Sequence, residues 1–274
     1  MTPTPTLTIY QLDAFTNQLY AGNPAAVVPL TDQNTWLPDA RMQAIAAENN
    51  LAETAFYIRT ATGYHIRWFT PTVEVDLCGH ATLATGYVIF FLEEKPEADH
   101  ITLDSRSGPL RVCRGESGWL TLDFPADVLL KSSVQPPALA GGLGGPKPLE
   151  IHRGKTDFMV VYATQADVEA LSPDFRELAN VPARGVIVTA PGTDVDFVSR
   201  FFGPQSGIDE DPVTGSAHTT LAPYWGQRLG KTDLTARQLS KRGGYLLCKL
   251  HDTPTGSRVD ISGQVQLYMK GELV

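Results

Sequence analysis

Two glycine-led segments of this sequence have residue types that suit the binding of small anions. They are Gly79-His80 and Gly215-Ser216, and each stands where a helix is predicted to begin. The first turn of a helix has backbone N–H groups without intrahelical partners and carries the positive end of the helix dipole. Glycine there lets a ligand approach the backbone closely. If two half-chains face each other about a pseudo-twofold axis, both segments would line one cleft for a small carboxylate. The alternative is that Thr214 and Ser216 are only capping residues.

Glu53 is the candidate for moving a proton. It follows Asn49-Asn50, a pair that suits the end of a helix, and it precedes the apolar run Thr54-Ala-Phe-Tyr-Ile58. A carboxylate at the mouth of such a strand can be partly withdrawn from water, which suits a group that takes up and returns a proton. The alternative is an exposed glutamate in a turn.

Motifs of several other function classes do not occur in the sequence. It has no Walker phosphate loop and no Gly-x-Ser-x-Gly elbow of the α/β-hydrolases. Its six histidines lack the tight spacing of a zinc site, so no bound metal is expected. Cys78, Cys113 and Cys248 are too few and too far apart for a disulfide framework. His218, in the helix that starts at Gly215, is either an outer part of the site or a structural histidine.

Composition indicates a globular protein of a reducing compartment. Of the 274 residues 42% are apolar, which is enough for a substantial core. The formal net charge of −8 repels phosphate backbones, so nucleic-acid binding is not expected. The longest strongly apolar stretch, residues 81–92, is shorter than the ~20 residues of a membrane span, so no membrane association is expected. The first residues lack a signal-peptide pattern, and we expect a cytoplasmic location.

Periodicity and turn signals predict the elements that position these residues. Residues 36–50 predict an amphipathic helix, and residues 79–94 predict a helix that is apolar nearly all round and must be buried. Residues 54–59 and 64–69 flank a Thr-Ala-Thr-Gly turn, as in a hairpin. Further strands are predicted near 7–15, 101–104, 109–113, 118–124, 157–162, 185–190, 194–201, 244–250, 257–262 and 265–270, and helices over 167–178 and from Gly215.

A segment rich in proline and glycine, residues 131–147, predicts a boundary between two domains. The domains are then 1–130 and 131–274, with the option that the last strand packs back on the first domain. A long surface loop inside one domain is the alternative.

The two halves carry a weak internal repeat. With Gly79 aligned on Gly215, the matched pairs are Glu74 with Glu210, Leu77 with Val213, His80 with Ser216 and Ala81 with Ala217. Upstream, Phe69-Thr-Pro71 resembles Phe202-Gly-Pro204 if about three residues are inserted in the second copy. Each copy has an extended acidic segment, a glycine and then a helix of small and apolar residues. Duplication and chance similarity are both open at this point.

Six longer blocks carry a resemblance over nearly the whole chain. They are Gly22-Asn-Pro-Ala-Ala-Val27, Glu48-Asn-Asn-Leu-Ala-Glu-Thr-Ala-Phe56, Arg67-Trp-Phe-Thr-Pro71, Glu74-Val-Asp-Leu-Cys-Gly-His-Ala-Thr82, Gly207-Ile-Asp-Glu-Asp-Pro-Val-Thr-Gly-Ser-Ala-His218 and Ser240-Lys-Arg-Gly-Gly244. Together they resemble the PhzF (phenazine biosynthesis protein-like) family. The resemblance implies the diaminopimelate-epimerase-like fold, an α+β fold of two pseudo-symmetric domains, each with a mostly antiparallel, barrel-like sheet around a central helix. It also implies a homodimer that acts without metal or organic cofactor.

The resemblance implies roles for particular residues as well. The phenazine enzyme of the family isomerises a cyclohexadiene carboxylate by moving a proton, and its proton-carrying glutamate falls on Glu53. The expected function is a cofactor-independent isomerase of a small carboxylate metabolite in a biosynthetic process. The family's substrate contacts fall on His80, Asp211 and Ser216, with the backbone of Gly79 and Gly215.

Two alternatives to that isomerase stay open. One is a non-catalytic family member that binds a small molecule or a protein. The other is a racemase or epimerase, because the related diaminopimelate epimerases and proline racemases place a cysteine before the glycine of each central helix. This sequence has Cys78 before Gly79 but Thr214 before Gly215. A threonine hydroxyl has a far higher pKa than the ~8.5 of a thiol, so racemisation by two bases is not expected.

Overall fold

Most of the regular structure is extended chain. The computed structural model describes residues 6–131 and 136–274. The strands, in chain order, are β1 (Leu7–Ala14), β2 (Asn23–Pro29), β3 (Glu53–Arg59), β4 (Tyr64–Phe69), β5 (Glu74–Val75), β6 (His100–Asp104), β7 (Leu110–Arg114), β8 (Leu120–Pro125), β9 (Leu130–Lys131), β10 (Glu150–Arg153), β11 (Phe158–Val161), β12 (Val186–Pro191), β13 (Phe197–Gly203), β14 (Ile208–Glu210), β15 (Asp233–Gln238), β16 (Gly244–Thr253), β17 (Gly256–Gly263) and β18 (Val265–Leu273). The predicted strands are confirmed, with ends that differ by a few residues.

The helices are short and few by comparison. They are α1 (Asp39–Asn49), α2 (Gly79–Tyr87), α3 (Pro137–Gly142), α4 (Gln165–Glu169), α5 (Phe175–Leu178) and α6 (His218–Leu229). α2 continues as a π-helical turn over Val88–Leu92. Within the described part of the chain, no helix is both long enough and apolar enough to cross a membrane.

The chain folds as two units, residues 1–123 with 262–274 and residues 124–261. In the first unit β1 pairs antiparallel with β2 and with the C-terminal strand β18, so the end of the chain belongs to that unit. The chain enters the second unit at 123/124, whereas the sequence places the boundary within 131–147. Residues 132–135 of that segment lie outside the described residues, and α3 occupies part of the remainder.

Each unit repeats one order of strand pairings. In the first unit β2 pairs parallel with β3, β3 antiparallel with β4, β4 antiparallel with β5 and parallel with β6, and β6 antiparallel with β7. In the second unit the same sequence of parallel and antiparallel pairings runs through β11, β12, β13, β14, β15 and β16. The expectation of an α+β fold with two pseudo-symmetric halves is therefore confirmed.

The repeat extends to an ion pair in each unit. Arg67 of β4 donates from Nε and Nη2 to the two carboxylate oxygens of Glu74, at 2.7 and 2.8 Å. Arg200 of β13 binds Glu210 in the same two-pronged way, at 2.8 and 3.0 Å. Phe69 lies opposite Glu74 in the strand register, as Phe202 lies opposite Glu210. The sequence repeat matches Phe69 with Phe202 and Glu74 with Glu210, so the strand registers of the two units can be compared residue by residue.

α2 is the central helix of the first unit. All residues from His80 to Gly86 are buried, and the helix contacts β1, β2, β3, β7 and β18. An apolar helix with no polar face is stable only when sheet surrounds it, which confirms the prediction from its sequence. The predicted length was too great, since the α-helical part ends at Tyr87 rather than near residue 94.

α6 is the long helix of the second unit and begins after a single turn of 3-10 helix, Gly215–Ala217. Pro223 lies inside it and has no N–H to donate to the carbonyl of Thr219. The backbone N–H of Asp127 donates to that carbonyl instead, at 3.0 Å. The proline therefore leaves no carbonyl unsatisfied at this turn.

The helix predicted over 167–178 is wrong in its extent. Two short helices, α4 and α5, stand in its place. Pro173 disfavours helical backbone in the residue before it, which ends the first segment. Asp174 then starts α5, because its carboxylate accepts from the N–H groups of Arg176 and Glu177.

Candidate active site

Glu53 is the first residue of β3, and the chain reaches it through a tight helix end. α1 ends at Asn49, and Asn50 takes a left-handed conformation with φ of 49°, from which its N–H bonds to the carbonyl of Ala46. Glu53 then lies opposite Ala25 of the parallel strand β2. Its side chain is only 12% exposed, and the strand that follows is buried. Glu53 is therefore a largely desolvated carboxylate rather than an exposed turn residue.

His80, in the first turn of α2, contacts Glu53. Its Nε2 lies 3.1 Å from Oε2 of Glu53. Its other nitrogen, Nδ1, lies 3.2 Å from Nδ2 of Asn23 and 3.5 Å from Sγ of Cys78. Asn23 is fully buried at the start of β2. The imidazole is thus held on both sides of its ring within the first unit.

Oε2 of Glu53 and Nε2 of His80 are both buried, and neither makes a well-aligned hydrogen bond to a described residue. The atoms are close, but their relative direction does not meet the geometry of a hydrogen bond. Buried polar atoms are normally satisfied, so this pair points to a polar group that arrives with a ligand. Catalytic hydrogen bonds are often poorly aligned before substrate binds.

Burial changes the protonation of His80 and Cys78. Desolvation raises the pKa of the Cys78 thiol to about 11, and the charge of Glu53 acts in the same direction. The thiol is therefore protonated near neutral pH. Desolvation lowers the pKa of His80, but the adjacent carboxylate of Glu53 acts against burial, and the pKa of His80 is raised. The protonated form of His80 is therefore favoured next to Glu53.

Glu53, Cys78 and His80 are also close enough together to be considered as metal ligands. Glu53 approaches Nε2 of His80, whereas Cys78 approaches Nδ1. One imidazole nitrogen binds one ion, so a shared ion would have to break one of these two contacts. The arrangement suits proton transfer better than metal binding.

Asp211 follows β14 in the second unit and is held by its own chain segment. The hydroxyl of Thr214 donates to Oδ2 of Asp211 at 2.6 Å. Gln238 of β15, only 1% exposed, donates to the carbonyl of Asp211 at 2.8 Å and to Oγ1 of Thr214 at 3.1 Å. It also accepts from the N–H of Thr214 at 2.8 Å. The direction of the Asp211 carboxylate is therefore fixed by a buried network.

Gly79 and Gly215 begin the two helical segments, as the sequence predicts. Cys78 and Thr214 precede them, and in the described part of the chain neither side chain caps its helix. The hydroxyl of Thr214 is given to Asp211 instead. The alternative in which Thr214 is only a capping residue is therefore excluded.

Ser216 is half-buried at the start of the second unit's helix. Its Oγ accepts a hydrogen bond from Nη1 of Arg184 at 3.0 Å. Arg184 in turn donates from Nε and Nη2 to the carboxylate of Asp157, at 2.9 and 2.5 Å. Asp157 is buried. A cationic side chain therefore stands directly beside Ser216.

His218 is a buried neutral histidine. Its side chain is fully buried, and burial lowers its pKa to about 4. Nδ1 lies 2.9 Å from the carbonyl of Thr214, one helical turn earlier. The ring supports the backbone at the helix start, which is a structural role.

Sequence reasoning missed four residues that orient the site residues: Asn23, Asp157, Arg184 and Gln238. Asn23 lies in one of the blocks that carry the family resemblance, which is a signal that could have identified it. The other three lie outside those blocks, and their partners come from distant parts of the chain.

The chain is similar to one protein family over nearly its whole length. Residues 12–271 match the family model described as phenazine biosynthesis-like protein. An uncharacterized isomerase of Pseudomonas aeruginosa is 50% identical over 269 residues, which cover 97% of this chain and 98% of that protein. The crystal structure of a phenazine biosynthesis protein of the PhzF family from Enterococcus faecalis superposes with a TM-score of 0.91 and 44% identity, covering 98% of this chain and all of that one.

A more distant structure shares the fold alone. A hydroxyproline epimerase from Agrobacterium vitis superposes with a TM-score of 0.61 at 11% identity, covering all of this chain and 94% of that one. The fold is therefore that of the epimerase-like proteins, as the resemblance in the sequence implies.

Proposed function

This chain belongs to the phenazine biosynthesis-like (PhzF) family, and on that basis we propose that it is an isomerase that moves a proton within a small carboxylic acid. The observation that carries the proposal is the buried pair of atoms, Oε2 of Glu53 and Nε2 of His80, that lack a hydrogen bond among the described residues. The bacterial relative at 50% identity is also named an isomerase. Both support a reaction that rearranges a substrate without changing its composition.

Glu53 carries the proton in this proposal. As a carboxylate it takes a proton from a carbon that a neighbouring double bond or carbonyl acidifies. It then returns a proton to another carbon of the conjugated system, while the double bond shifts between them. A proton held on the carboxyl group exchanges with water, so part of the returned hydrogen comes from the solvent. The electron pair stays within the substrate, so the step needs no redox cofactor. Protonated His80 donates a hydrogen bond where negative charge develops.

The residues of the second unit bind the substrate in the same proposal. Asp211, whose carboxylate is oriented by Thr214, hydrogen-bonds a polar group of the substrate. Ser216 and the backbone N–H groups at Gly79 and Gly215 hold its carboxylate. Fixing the substrate in this way lets a single base reach both carbons, which is what a proton shift along one face requires.

The test is exchange of solvent deuterium into a panel of amino and enol carboxylates, followed by NMR. Wild-type protein is expected to label at least one of them at a carbon position. Glu53→Gln keeps the shape of the side chain and removes its titratable proton, so labelling is expected to stop while the same compound still binds. Glu48→Gln is the matched control, since Glu48 is an exposed carboxylate on α1 and loses the same charge.

Other outcomes would contradict the proposal in distinct ways. Labelling by Glu53→Gln at near the wild-type rate would show that Glu53 is not the acid/base group. Compounds that bind without any labelling would favour the non-catalytic binding member of the family. Inversion at an amino-acid α-carbon would favour a racemase.

We also propose that the protein acts as a homodimer in the cytoplasm, in a biosynthetic process. Light scattering coupled to gel filtration at several protein concentrations tests the first point. A mass of one chain, about 29.8 kDa, at all concentrations would exclude the dimer.

A further inference from the structure

Arg184 lies one residue before the position in the second unit that corresponds to Glu53 in the first. The strand registers show this, because Thr54 lies opposite Phe69 and Val186 lies opposite Phe202, and the two phenylalanines are matched by the repeated ion pairs. Thr54 therefore corresponds to Val186, and each site residue lies just before its strand position. Glu53 precedes Thr54 directly, and Arg184 is one residue further upstream.

The two residues make the same contact in their own units. Glu53 reaches His80, the residue after the glycine that starts α2, at 3.1 Å. Arg184 reaches Ser216, the residue after Gly215, at 3.0 Å. A carboxylate beside a histidine in the first unit thus corresponds to an arginine beside a serine in the second unit.

Packing explains why the side chain comes from Arg184 rather than from the next residue. Gly185 is the exact counterpart of Glu53 in the register, and a Cβ there would overlap the ring of Phe201. The guanidinium of Arg184 lies over that same ring, with Cζ 5.3 Å from its centroid. Phe201 therefore excludes a side chain at 185 and supports the planar group of Arg184.

We propose that Arg184 is a specificity-determining residue that selects substrates with a carboxylate and binds that group together with Ser216. Asp157 takes the Nε and Nη2 edge of the guanidinium and fixes its plane. Nη1 donates to Oγ of Ser216, and the side chain is 40% exposed. Nη1 and Nη2 each carry a second N–H group beyond the ones given to Ser216 and Asp157, so the guanidinium can bind a further carboxylate, and the hydroxyl of Ser216 has its own proton to donate.

This inference rests on the proposed function, in which Ser216 binds substrate, and it names the class of group that Ser216 meets.

Binding of benzoate, compared with its uncharged analogue benzamide, tests the proposal by NMR titration. Arg184→Met is expected to weaken benzoate binding about tenfold and benzamide binding less than about twofold, since a charge-assisted hydrogen bond is lost for benzoate only. Arg184→Lys keeps the charge but not the two-pronged geometry, so an intermediate loss is expected. Arg237→Met is the control for net charge, because Arg237 forms an exposed ion pair with Asp194 in the same unit.

Equal affinity of wild type and Arg184→Met for benzoate, including no measurable binding by either, would overturn the proposal. So would an equal loss for benzoate and benzamide, which is the result of a purely structural role. The exchange assay separates this result from the proposed function. If wild-type protein labels carboxylates and Arg184→Met does so with the same KM, Arg184 has no role in binding and the isomerase proposal stands. If Arg184→Met loses benzoate binding selectively but wild-type protein labels no compound, the role of Arg184 stands and the isomerase proposal fails.

Discussion

The hydroxyl of Thr214 donates a 2.6 Å hydrogen bond to Oδ2 of Asp211. Thr214 stands before Gly215 as Cys78 stands before Gly79, and its hydroxyl oxygen is engaged in orienting a carboxylate. Buried Gln238 binds both residues, so the three form one closed network. The residue before the second helix start therefore orients the carboxylate of Asp211.

Removing that hydroxyl is expected to reduce activity through Asp211. Thr214→Val keeps the size of the side chain but removes the hydroxyl that binds Oδ2 of Asp211 and Nε2 of Gln238. Loss of a hydrogen-bond partner costs a buried polar group about 1–3 kcal/mol of free energy. We expect kcat/KM for a labelled carboxylate to fall about tenfold or more. Thr214→Ser retains the hydroxyl and is expected to stay near wild type. Equal loss in both variants, at equal thermal stability, would mean that the hydroxyl does not orient Asp211.

Because the ion pair is repeated in both units, loss of either arginine is expected to lower the free energy of unfolding by a similar amount. Arg67 and Glu74 have side chains 11% and 13% exposed, and Arg200 and Glu210 have side chains 13% and 22% exposed. Arg67→Met or Arg200→Met leaves a poorly solvated carboxylate without its main partner, which is expected to cost about 2–3 kcal/mol of unfolding free energy in urea.

Arg106→Met is the control for these two variants. Arg106 binds the same Glu74, but its side chain is 52% exposed, so its loss is expected to cost less than about 1 kcal/mol. A destabilisation by Arg106→Met as large as that of Arg67→Met would show that buried geometry does not decide the contribution of the pair.

The sequence predicts the strands and the central helix well because their signals are local. The buried helix from Gly79, the hairpin of β3 and β4, and the match of Glu74 with Glu210 are all visible in the order of residue types. Pro173 is also a local signal, because it disfavours helical backbone in the residue before it. The prediction of one helix over 167–178 did not take this proline into account.

The contacts of the site depend on long-range pairing and are therefore hidden in the sequence. Arg184 and Asp157 meet because β11 and β12 pair in parallel, and Gln238 reaches Asp211 from a strand that follows much later. No spacing rule joins such residues. Only the register of the strands shows that Arg184 lies next to the counterpart of Glu53.

The lowered pKa of His218 makes the free energy of unfolding depend on pH. Its pKa is lowered to about 4 by burial, so in the folded protein it stays neutral while the unfolded chain binds a proton below its ordinary pKa of ~6.5. The stability that neutral His218 contributes is therefore present above pH ~6.5 and is lost as the pH falls toward 4, by roughly 3 kcal/mol. His218→Met is expected to flatten this part of the stability curve, measured by urea unfolding from pH 7 to 4.

Two comparisons isolate the contribution of His218. His80 acts with the opposite sign, because its raised pKa stabilises the folded protein at low pH and that gain is lost as the pH rises through the folded-state pKa. The slope of each variant is therefore compared with that of wild type rather than taken alone. His100→Gln, at an exposed position on β6, serves as the control. An unchanged slope in His218→Met would contradict the buried neutral state.

Cys78 distinguishes a single carboxylate base from a thiol base. The residue is 6% exposed, and burial with the adjacent Glu53 raises the pKa of its thiol to about 11, so the thiolate is scarce near neutral pH. We expect Cys78→Ala to retain most of the deuterium-labelling activity, and we expect iodoacetamide to inactivate wild-type protein slowly. Glu53→Gln is expected to be inactive under the same conditions. Cys78 also contacts His80, so thermal stability is measured in parallel to separate a packing defect from a chemical one. Loss of activity in Cys78→Ala at unchanged stability, together with inversion at a substrate carbon, would replace the one-base mechanism with that of a racemase.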